Sequence, residues 1–269
     1  MEYVIGEMTY SYDIVGEGEA VLLLHGFTGS KKSWKDLKAA LANDYKVITI
    51  DLPGHGSTST IPVTMEQCCD HLSVFLKAIK VEQAHIIGYS MGGRVALSFA
   101  MMYSDQVASL TLESSSPGLA TEEERRTRRA NDEKLANRIL EKGLKTFVNF
   151  WENIPLFDSQ KKLPLETQQR IRTGRLNQRP EGLANSLKYM GTGAQPSWWQ
   201  NLSEINFPTL LIVGELDEKF VRINERMARN IKKVQFEIVK EAGHAVHLEK
   251  PKQYEKLIVH FLNENKGGQ

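Results

Sequence analysis

The stretch IIGYSMGGRVALSF, residues 86–99, decides the fold. An apolar run ends at Tyr89, a serine stands between Gly88 and Gly92, and a pattern of helical spacing follows. A G-x-S-x-G sequence between a strand and a helix is the nucleophile elbow, a tight turn that exposes a serine hydroxyl above a sheet. The two glycines leave room for neighbouring chain to pass close to the turn. The sequence therefore predicts that Ser90 is a nucleophile.

Around this turn, short apolar runs alternate with segments of helical spacing. This alternation predicts a mainly parallel central sheet flanked by helices on both faces. An N-terminal hairpin is predicted over residues 4–16, and a helix behind a capping serine over residues 33–42. The predicted strands of the sheet are AVLLLHG (20–26), YKVITIDLPG (45–54), QAHIIGYS (83–90), VASLTLESS (107–115), PTLLIVGE (208–215) and VQFEIVKE (234–241).

The sequence changes character over residues 119–200, which are charged, rich in arginine and helical in pattern. This segment contains 15 Lys or Arg and 10 Asp or Glu, whereas the rest of the chain contains 19 and 23. It therefore carries a formal charge of +5 on a scaffold of −4. We interpret residues 1–118 and 201–269 as one α/β core and residues 119–200 as an inserted helical cap.

Composition narrows the class of protein. The formal net charge of +1 gives no reason to expect a nucleic acid or a membrane surface as partner. The cysteines, Cys68 and Cys69, are adjacent, which suits neither a disulfide framework nor a metal motif. The N-terminal sequence lacks the features of a signal peptide, and no apolar run has the ~18 residues of a membrane helix. These features predict a cytoplasmic protein without membrane insertion; the oligomeric state is left open.

A serine nucleophile needs a histidine to take its proton and an acid to orient that histidine. In a chain with this turn, the acid and then the histidine are expected after the serine. His244 lies on a glycine-containing loop after an apolar strand, and Asp217 follows the strand before that one. His247 and Glu215 lie close to them, but we expect His247 to be structural and Asp217 to be the acid. The predicted triad is Ser90, Asp217 and His244.

Two backbone amides are needed to stabilise an oxyanion beside the serine. Met91 directly follows the nucleophile, and Phe27 lies in HGFTG after the strand at residues 20–26. We predict that these two residues supply the oxyanion hole. Neither a metal nor an organic cofactor is expected, because HxH, HExxH, CxxC and G-x-G-x-x-G spacings are absent from the sequence.

The motifs HGF (25–27), DLPGHGST (51–58), GYSMGG (88–93), GELD (214–217) and GHAVHLEKP (243–251) resemble, in this order, those of the α/β-hydrolase family. The cap adds a narrower match. The stretches ESSSPGL (113–119), EEERRTRRANDEKLA (122–136), RLNQ (175–178) and GTGAQPSWW (191–199) are similar to the 2-succinyl-6-hydroxy-2,4-cyclohexadiene-1-carboxylate (SHCHC) synthase family of menaquinone biosynthesis. The resemblance implies the α/β-hydrolase fold with a helical cap.

This resemblance also implies a lyase that eliminates pyruvate from 2-succinyl-5-enolpyruvyl-6-hydroxy-3-cyclohexene-1-carboxylate. The triad would abstract a proton instead of transferring an acyl group. The partner would be a small polycarboxylate, which arginines bind well. The substrate-binding residues implied are Tyr89, Arg94, Arg128, Arg175 and Trp151. For the arginines, a solvent-exposed position stays an alternative, and Trp151 suits the core of the cap as well as the pocket wall.

Two other functions stay open at this stage. The same triad serves carboxylesterases, thioesterases and carbon–carbon bond hydrolases, since fold alone does not fix function. A basic cap argues against an esterase for neutral substrates. The second alternative is a non-catalytic ligand sensor on the same fold. An intact set of Ser90, Asp217 and His244 argues against that alternative.

Overall fold

The computed structural model describes residues 1–267, and within them a single eight-stranded sheet forms the centre of the molecule. The spatial order of the strands is β1-β2-β4-β3-β5-β6-β7-β8. Strands β3 to β8 are parallel, whereas β2 is antiparallel to both β1 and β4. Their bounds are β1 Glu2–Ile5, β2 Met8–Val15, β3 Ala20–Leu24, β4 Lys46–Ile50, β5 Ala84–Tyr89, β6 Val107–Glu113, β7 Thr209–Gly214 and β8 Val234–Val239.

Helices cover both faces of the sheet, as the alternating pattern predicts. The core helices are α1 (Lys35–Leu41), α2 (Met65–Ala78), α3 (Met91–Met102), α7 (Glu218–Ala228), α8 (Val246–Glu249) and α9 (Pro251–Glu264). Leu22 and Leu24 of β3 pack in the cluster that contains α2, α3 and α7, whereas Val21 and Leu23 pack with α1 and α9. Both faces of β3 are thus apolar and buried, which is typical of a central parallel strand.

The start of α1 differs from the prediction. A short 3-10 helix over Lys31–Trp34 precedes it, and the capping residue is Ser30. The Ser33 side chain completes a capping box by accepting from the backbone N–H of Ser30. Sequence spacing alone did not reveal the 3-10 turn, because its i,i+3 bonds leave no distinct apolar period.

The segment between β6 and β7 is helical within the described residues, as predicted. It contains α4 (Glu122–Trp151), a 3-10 segment (Pro155–Lys162), α5 (Leu165–Leu176) and α6 (Pro180–Met190). At Gly143 the backbone of α4 is not helical, with φ 77° and ψ 162°. Apolar residues of α4 and α6 form a separate small core that includes Ile139, Phe147 and Leu183.

The division into a core and a cap of residues 119–200 stays a prediction. The last two residues assigned to the core, 268 and 269, lie outside the described part of the chain. Across residues 1–267, none of the helices combines the length and apolar character needed to cross a lipid bilayer.

Candidate active site

Ser90 stands at the sharp turn between β5 and α3. Its backbone has φ 51° and ψ −107°, a conformation that is costly for a residue with a side chain. The turn is held by the N–H of Ser90, which donates to the carbonyl of Glu113 at 2.8 Å. A Cβ at Gly88 would overlap the backbone of Gly92, and a Cβ at Gly92 would overlap that of Leu24. The tight packing around Ser90 therefore requires glycine at both flanking positions.

The structure brings the three predicted triad residues together. His244 Nε2 lies 3.0 Å from Ser90 Oγ, and His244 Nδ1 lies 2.6 Å from Asp217 Oδ2. Because an ionised carboxylate only accepts hydrogen bonds, Nδ1 carries the proton and Nε2 faces the hydroxyl as an acceptor. Asp217 and His244 are both buried. This geometry suits a histidine that takes a proton from Ser90.

The two competing residues have other partners. The Nδ1 of His247 donates to the buried carboxylate of Glu113 at 2.9 Å, and the ring lies 4.8 Å from that of Trp34. The carboxylate of Glu215 accepts from the backbone N–H of Glu241 at 3.0 Å. Neither therefore takes the place of His244 or Asp217 beside the serine.

The loop that carries Phe27 is fixed by a buried histidine. His25 Nε2 accepts a hydrogen bond from the N–H of Leu52 at 3.0 Å, so Nδ1–H donates to the carbonyl of Gly26 at 2.8 Å. Within residues 1–267, the amides of Phe27 and Met91 donate to no other protein group. Both amides are thus available for an oxyanion, but their assignment to the oxyanion hole stays a prediction.

A second histidine packs against this loop. The ring of His55 lies 5.2 Å from that of His25 and 5.6 Å from that of Phe27. Burial lowers the pKa of His25 to about 4 and that of His55 to about 3. Both rings are therefore neutral at physiological pH, which keeps positive charge out of the apolar layer beneath the loop.

Two of the predicted arginines meet where the core joins the helices of the insertion. Arg94, one turn after Ser90, donates from Nη1 to the carbonyl of Met190 at 2.8 Å and to Gln195 Oε1 at 2.5 Å. Arg128 donates from Nε to Asp132 Oδ1 at 2.8 Å. Burial, followed by the nearby Arg128, lowers the pKa of Arg94 to about 9. Arg94 and Arg128 therefore form a cationic region between α3 and α4.

The third arginine packs against Phe157, a neighbour of the catalytic histidine candidate. Arg175 is buried, its guanidinium lies 4.8 Å from the ring centre of Phe157, and its Nη2 donates to Gln160 Oε1 at 3.1 Å. The ring of Phe157 is 6.2 Å from that of His244. Burial lowers the pKa of Arg175, whereas the neighbouring Tyr89 acts in the opposite direction.

The other arginines at the start of α4 have different surroundings. Arg125 and Arg129 both pair with the exposed Glu122, at 2.6 Å and 2.5 Å. Arg126 is exposed. Arg128 is therefore the member of this run that pairs with a buried carboxylate close to Arg94.

Aromatic rings form the walls around this region. Trp151 lies 5.5 Å from Phe147 of the helical core and 5.4 Å from Phe27, measured between ring centres. Trp151 therefore belongs to the small core of the inserted helices and also contacts the predicted oxyanion loop. The ring of Tyr89 lies 5.4 Å from that of His244, which places it beside the triad.

A cavity of about 930 Å³ adjoins the site. Of the predicted site residues, Phe27, Tyr89 and Arg175 line it, whereas Ser90, His244, Arg94, Arg128 and Trp151 are not among its lining residues. The lining also includes cations of the 3-10 turn, α1, α5 and α9, which are Lys31, Lys32, Lys35, Arg170 and Lys252. The cavity thus reaches Tyr89, the residue before Ser90.

The residues that hold the arginines were missed in the sequence. Asp132 and Gln195 contact Arg128 and Arg94, and Gln160 contacts Arg175. Glutamines in polar segments carry no distinct signal. Asp132 gave one weak signal, an acidic residue four positions after Arg128 on the same helix face.

Comparison with known proteins agrees with this fold. The α/β-hydrolase-fold family matches residues 19–251. A Bacillus subtilis (strain 168) protein, provisionally named SHCHC synthase, is 48% identical over 93% of this chain and 94% of its own length. The solved structure of MenH from S. aureus superposes with a TM-score of 0.92 and 36% identity over 96% of this chain and 99% of that one.

The chain belongs to the SHCHC synthase family of α/β-hydrolase-fold proteins. The resemblance inferred from the motifs and the predicted fold class are therefore confirmed. An esterase of the same fold, from Thermogutta terrifontis and solved with malate bound, has a TM-score of 0.86 and 30% identity over 97% of this chain and 96% of that one. The SHCHC synthase family thus shares its architecture with hydrolases that perform other reactions.

Proposed function

We propose that this protein eliminates pyruvate from 2-succinyl-5-enolpyruvyl-6-hydroxy-3-cyclohexene-1-carboxylate to give SHCHC, a step of menaquinone biosynthesis. The observation that carries the proposal is the paired Ser90 and His244, each with an arginine nearby. Arg94 lies one turn after Ser90 on α3, and Arg175 packs against Phe157, whose ring neighbours that of His244. A substrate with several carboxylates needs separated cations near the reacting carbon, and guanidinium groups bind carboxylates through two parallel hydrogen bonds.

The proton transfer begins at the serine. In the proposed mechanism, His244 Nε2 takes the proton of the Ser90 hydroxyl as that oxygen removes a proton from the substrate ring. Asp217 holds His244 in the required tautomer and stabilises the imidazolium. The distances of 3.0 Å and 2.6 Å along this chain support direct transfer.

Loss of the ring proton places negative charge on the substrate. We assign its stabilisation to the amides of Phe27 and Met91, which have no other acceptor within residues 1–267. The electron pair then forms a C2–C3 double bond, the existing C3–C4 double bond shifts to C4–C5, the C5–oxygen bond to the enolpyruvyl group breaks, and pyruvate leaves as its enolate. The proton on His244 returns to the enolate, so no oxidant, metal or cofactor is needed.

Arg94, Arg128 and Arg175 are assigned to the substrate carboxylates, and Tyr89 and Trp151 to the walls of the binding site. The division into a core and a cap of residues 119–200 is part of the proposal. We also propose a cytoplasmic location, which is consistent with the free, buried thiols of Cys68 and Cys69.

A coupled assay tests the reaction. The substrate is made enzymatically, and released pyruvate is reduced by lactate dehydrogenase while NADH absorbance is followed. We expect release well above the spontaneous rate, and loss of that release in His244→Ala. A rate equal to the spontaneous one for the unmodified protein would contradict the proposal.

A serine esterase is the second candidate, because the malate-bound esterase of T. terrifontis shares the fold at 30% identity. An esterase for neutral esters gains nothing from several arginines near its active site. Rapid hydrolysis of p-nitrophenyl acetate without pyruvate release would favour this candidate. The proposed lyase is expected to hydrolyse this ester slowly.

A further inference from the structure

Asp132 is a buried carboxylate among cations close to the proposed active site. It lies on α4, and its side chain is only 6% exposed. Oδ1 accepts a hydrogen bond from Arg128 at 2.8 Å. Oδ2 is fully buried and has no hydrogen-bond partner within residues 1–267. A buried carboxylate with one unsatisfied oxygen is costly, so the protein needs a compensating interaction.

Helix stability does not explain this residue. Arg128 and Asp132 are four residues apart, but the favoured order places the acid before the base. Such pairs also stabilise exposed helix surfaces, whereas Asp132 is buried. Burial raises the pKa of the Asp132 carboxyl, and Arg128 and Arg94 both act against that rise. The ionised form of Asp132 is thus favoured by two cations on different parts of the fold.

The two cations need a counter-charge. Arg128 lowers the pKa of the Arg94 guanidinium, whereas Asp132 raises it. Two neighbouring guanidinium charges repel each other most strongly in a buried site, where little water screens them. Asp132 therefore reduces a repulsion that would otherwise turn Arg128 away from Arg94 and towards solvent. The side chain of Arg128 is already 40% exposed.

The packing around Asp132 connects it with Arg94. A Cβ at Gly191 would lie 2.6 Å from Asp132 Oδ2, so a residue with a side chain would displace this carboxylate. The preceding residue, Met190, accepts a hydrogen bond from Arg94 through its carbonyl. The end of α6 therefore contacts both the carboxylate of Asp132 and the guanidinium of Arg94.

We propose that Asp132 is a positioning residue for substrate binding. Its carboxylate holds Arg128 at the junction of core and cap and offsets the repulsion between Arg128 and Arg94. Both guanidinium groups can then face the same anionic substrate. This inference rests on the proposed function for its substrate, but it predicts binding of dicarboxylates even if the reaction is a different one.

The first experiment compares Asp132→Asn with Glu133→Gln. Each variant loses one negative charge from the same turn of α4, but Glu133 is exposed. We expect Asp132→Asn to raise KM at least tenfold with kcat within about threefold, since a charge-assisted hydrogen bond contributes about that factor or more. Glu133→Gln should keep both constants. The Kd of succinate, measured by titration calorimetry, should rise in parallel with KM.

A double-mutant cycle separates positioning from a structural role. Arg128→Gln is made alone and together with Asp132→Asn, and each protein is checked by thermal unfolding. If Asp132 acts through Arg128, its substitution should change KM much less in the Arg128→Gln background. Multiplicative effects on KM, or a loss of kcat with unchanged KM, would overturn the proposal.

The outcomes also distinguish this inference from the proposed reaction. If the unmodified protein binds succinate but releases no pyruvate, the reaction is wrong and succinate affinity decides the role of Asp132. If Asp132→Asn binds succinate as tightly as the unmodified protein, the role of Asp132 is wrong whatever the reaction. An unmodified protein that neither binds succinate nor releases pyruvate would overturn both.

Discussion

The triad and the arginines occupy the same region but are positioned by different kinds of structure. Ser90, Asp217 and His244 lie on the connections that follow β5, β7 and β8. Parallel strands bring their carboxyl ends to one edge of the sheet, so the sheet itself assembles these residues. Arg128 and Arg175 lie on the inserted helices α4 and α5, and α4 is held by side-chain packing against α6.

Burial and hydrogen bonding also differ between the triad residues and the arginines. His244 is 2% exposed, and each ring nitrogen faces one buried or partly buried partner of the triad. Arg128 is 40% exposed and bonds to a neighbour on its own helix. The residues proposed for proton transfer are therefore fixed before substrate arrives, whereas those proposed for anion binding depend on contacts that a single substitution can change.

The largest expected effect is on the triad. Ser90→Ala should lower kcat by about 10⁴-fold or more, because it removes the group that receives the ring proton. Succinate should still bind, since the arginines are intact. The coupled pyruvate assay measures the rate, and calorimetry measures the binding.

Ser203→Ala, at an exposed position, is the matched control and should keep full activity. A Ser90→Ala protein with more than a tenth of the original kcat would show that the serine does not carry the reaction. It would also remove the contrast between a catalytic core and a binding cap.

The fold and the positions of the triad residues were predictable because their signals are local. A glycine on each side of Ser90 and an apolar strand before each connection suffice to place Ser90, Asp217 and His244 at one edge of the sheet. The catalytic role of this set and the oxyanion amides stay predictions that the variants test. The register of eight strands was not predictable, since it depends on which strands pair across the sheet.

The surroundings of the arginines were much less predictable. Arg128 was selected by motif similarity, and the spacing to Asp132 gave only a weak signal for its partner. The contact of Gln195 with Arg94 joins parts of the chain about 100 residues apart and had no signal in the sequence. Helical periodicity shows which residues share a face and does not show which face meets the core. The same limit applies to Trp151, whose contacts with Phe27 join parts of the chain far apart in sequence.

The next effect concerns the layer beneath the oxyanion loop. His25 and His55 are buried as neutral rings with pKa values of about 4 and about 3, against 6.5 in the unfolded chain. The unfolded state takes up these protons first, so stability is fully present above pH 6.5 and is lost as the pH falls towards 4. For His25 alone, this corresponds to about 3 kcal/mol.

Urea unfolding at several pH values between 8 and 4 measures this loss. His55→Gln should reduce the dependence of unfolding free energy on pH, whereas His260→Gln, at an exposed position, should keep it. Equal slopes in all three proteins would mean that these buried rings do not account for the acid sensitivity. Buried histidines would then contribute nothing to the difference in acid sensitivity between the core and the cap.

Arg175→Gln tests the cap side of the comparison. We expect KM to rise about 100-fold and kcat to change less, because a buried charge-assisted contact with the substrate is lost in the ground state as well as the transition state. Arg138→Gln, at an exposed position of α4 outside the cavity lining, is the control and should change KM little. A fall in kcat with constant KM would assign Arg175 to catalysis and would weaken the division between the two regions.

Gly143→Ala gives the smallest expected effect and asks whether backbone shape in the cap matters for binding. The φ of 77° and ψ of 162° at this position are accessible almost only to glycine, so alanine should lower the unfolding free energy by about 2 kcal/mol. Gly174→Ala is the matched control, because open space surrounds both positions and only Gly143 has a positive φ. Within α5, alanine at position 174 should raise stability by up to about 1 kcal/mol.

Since Gly143 separates the half of α4 with Arg128 from the half with Trp151, its substitution should raise KM more than it lowers kcat. Equal losses of kcat and kcat/KM would instead mean that the shape of the cap also governs the chemistry at Ser90.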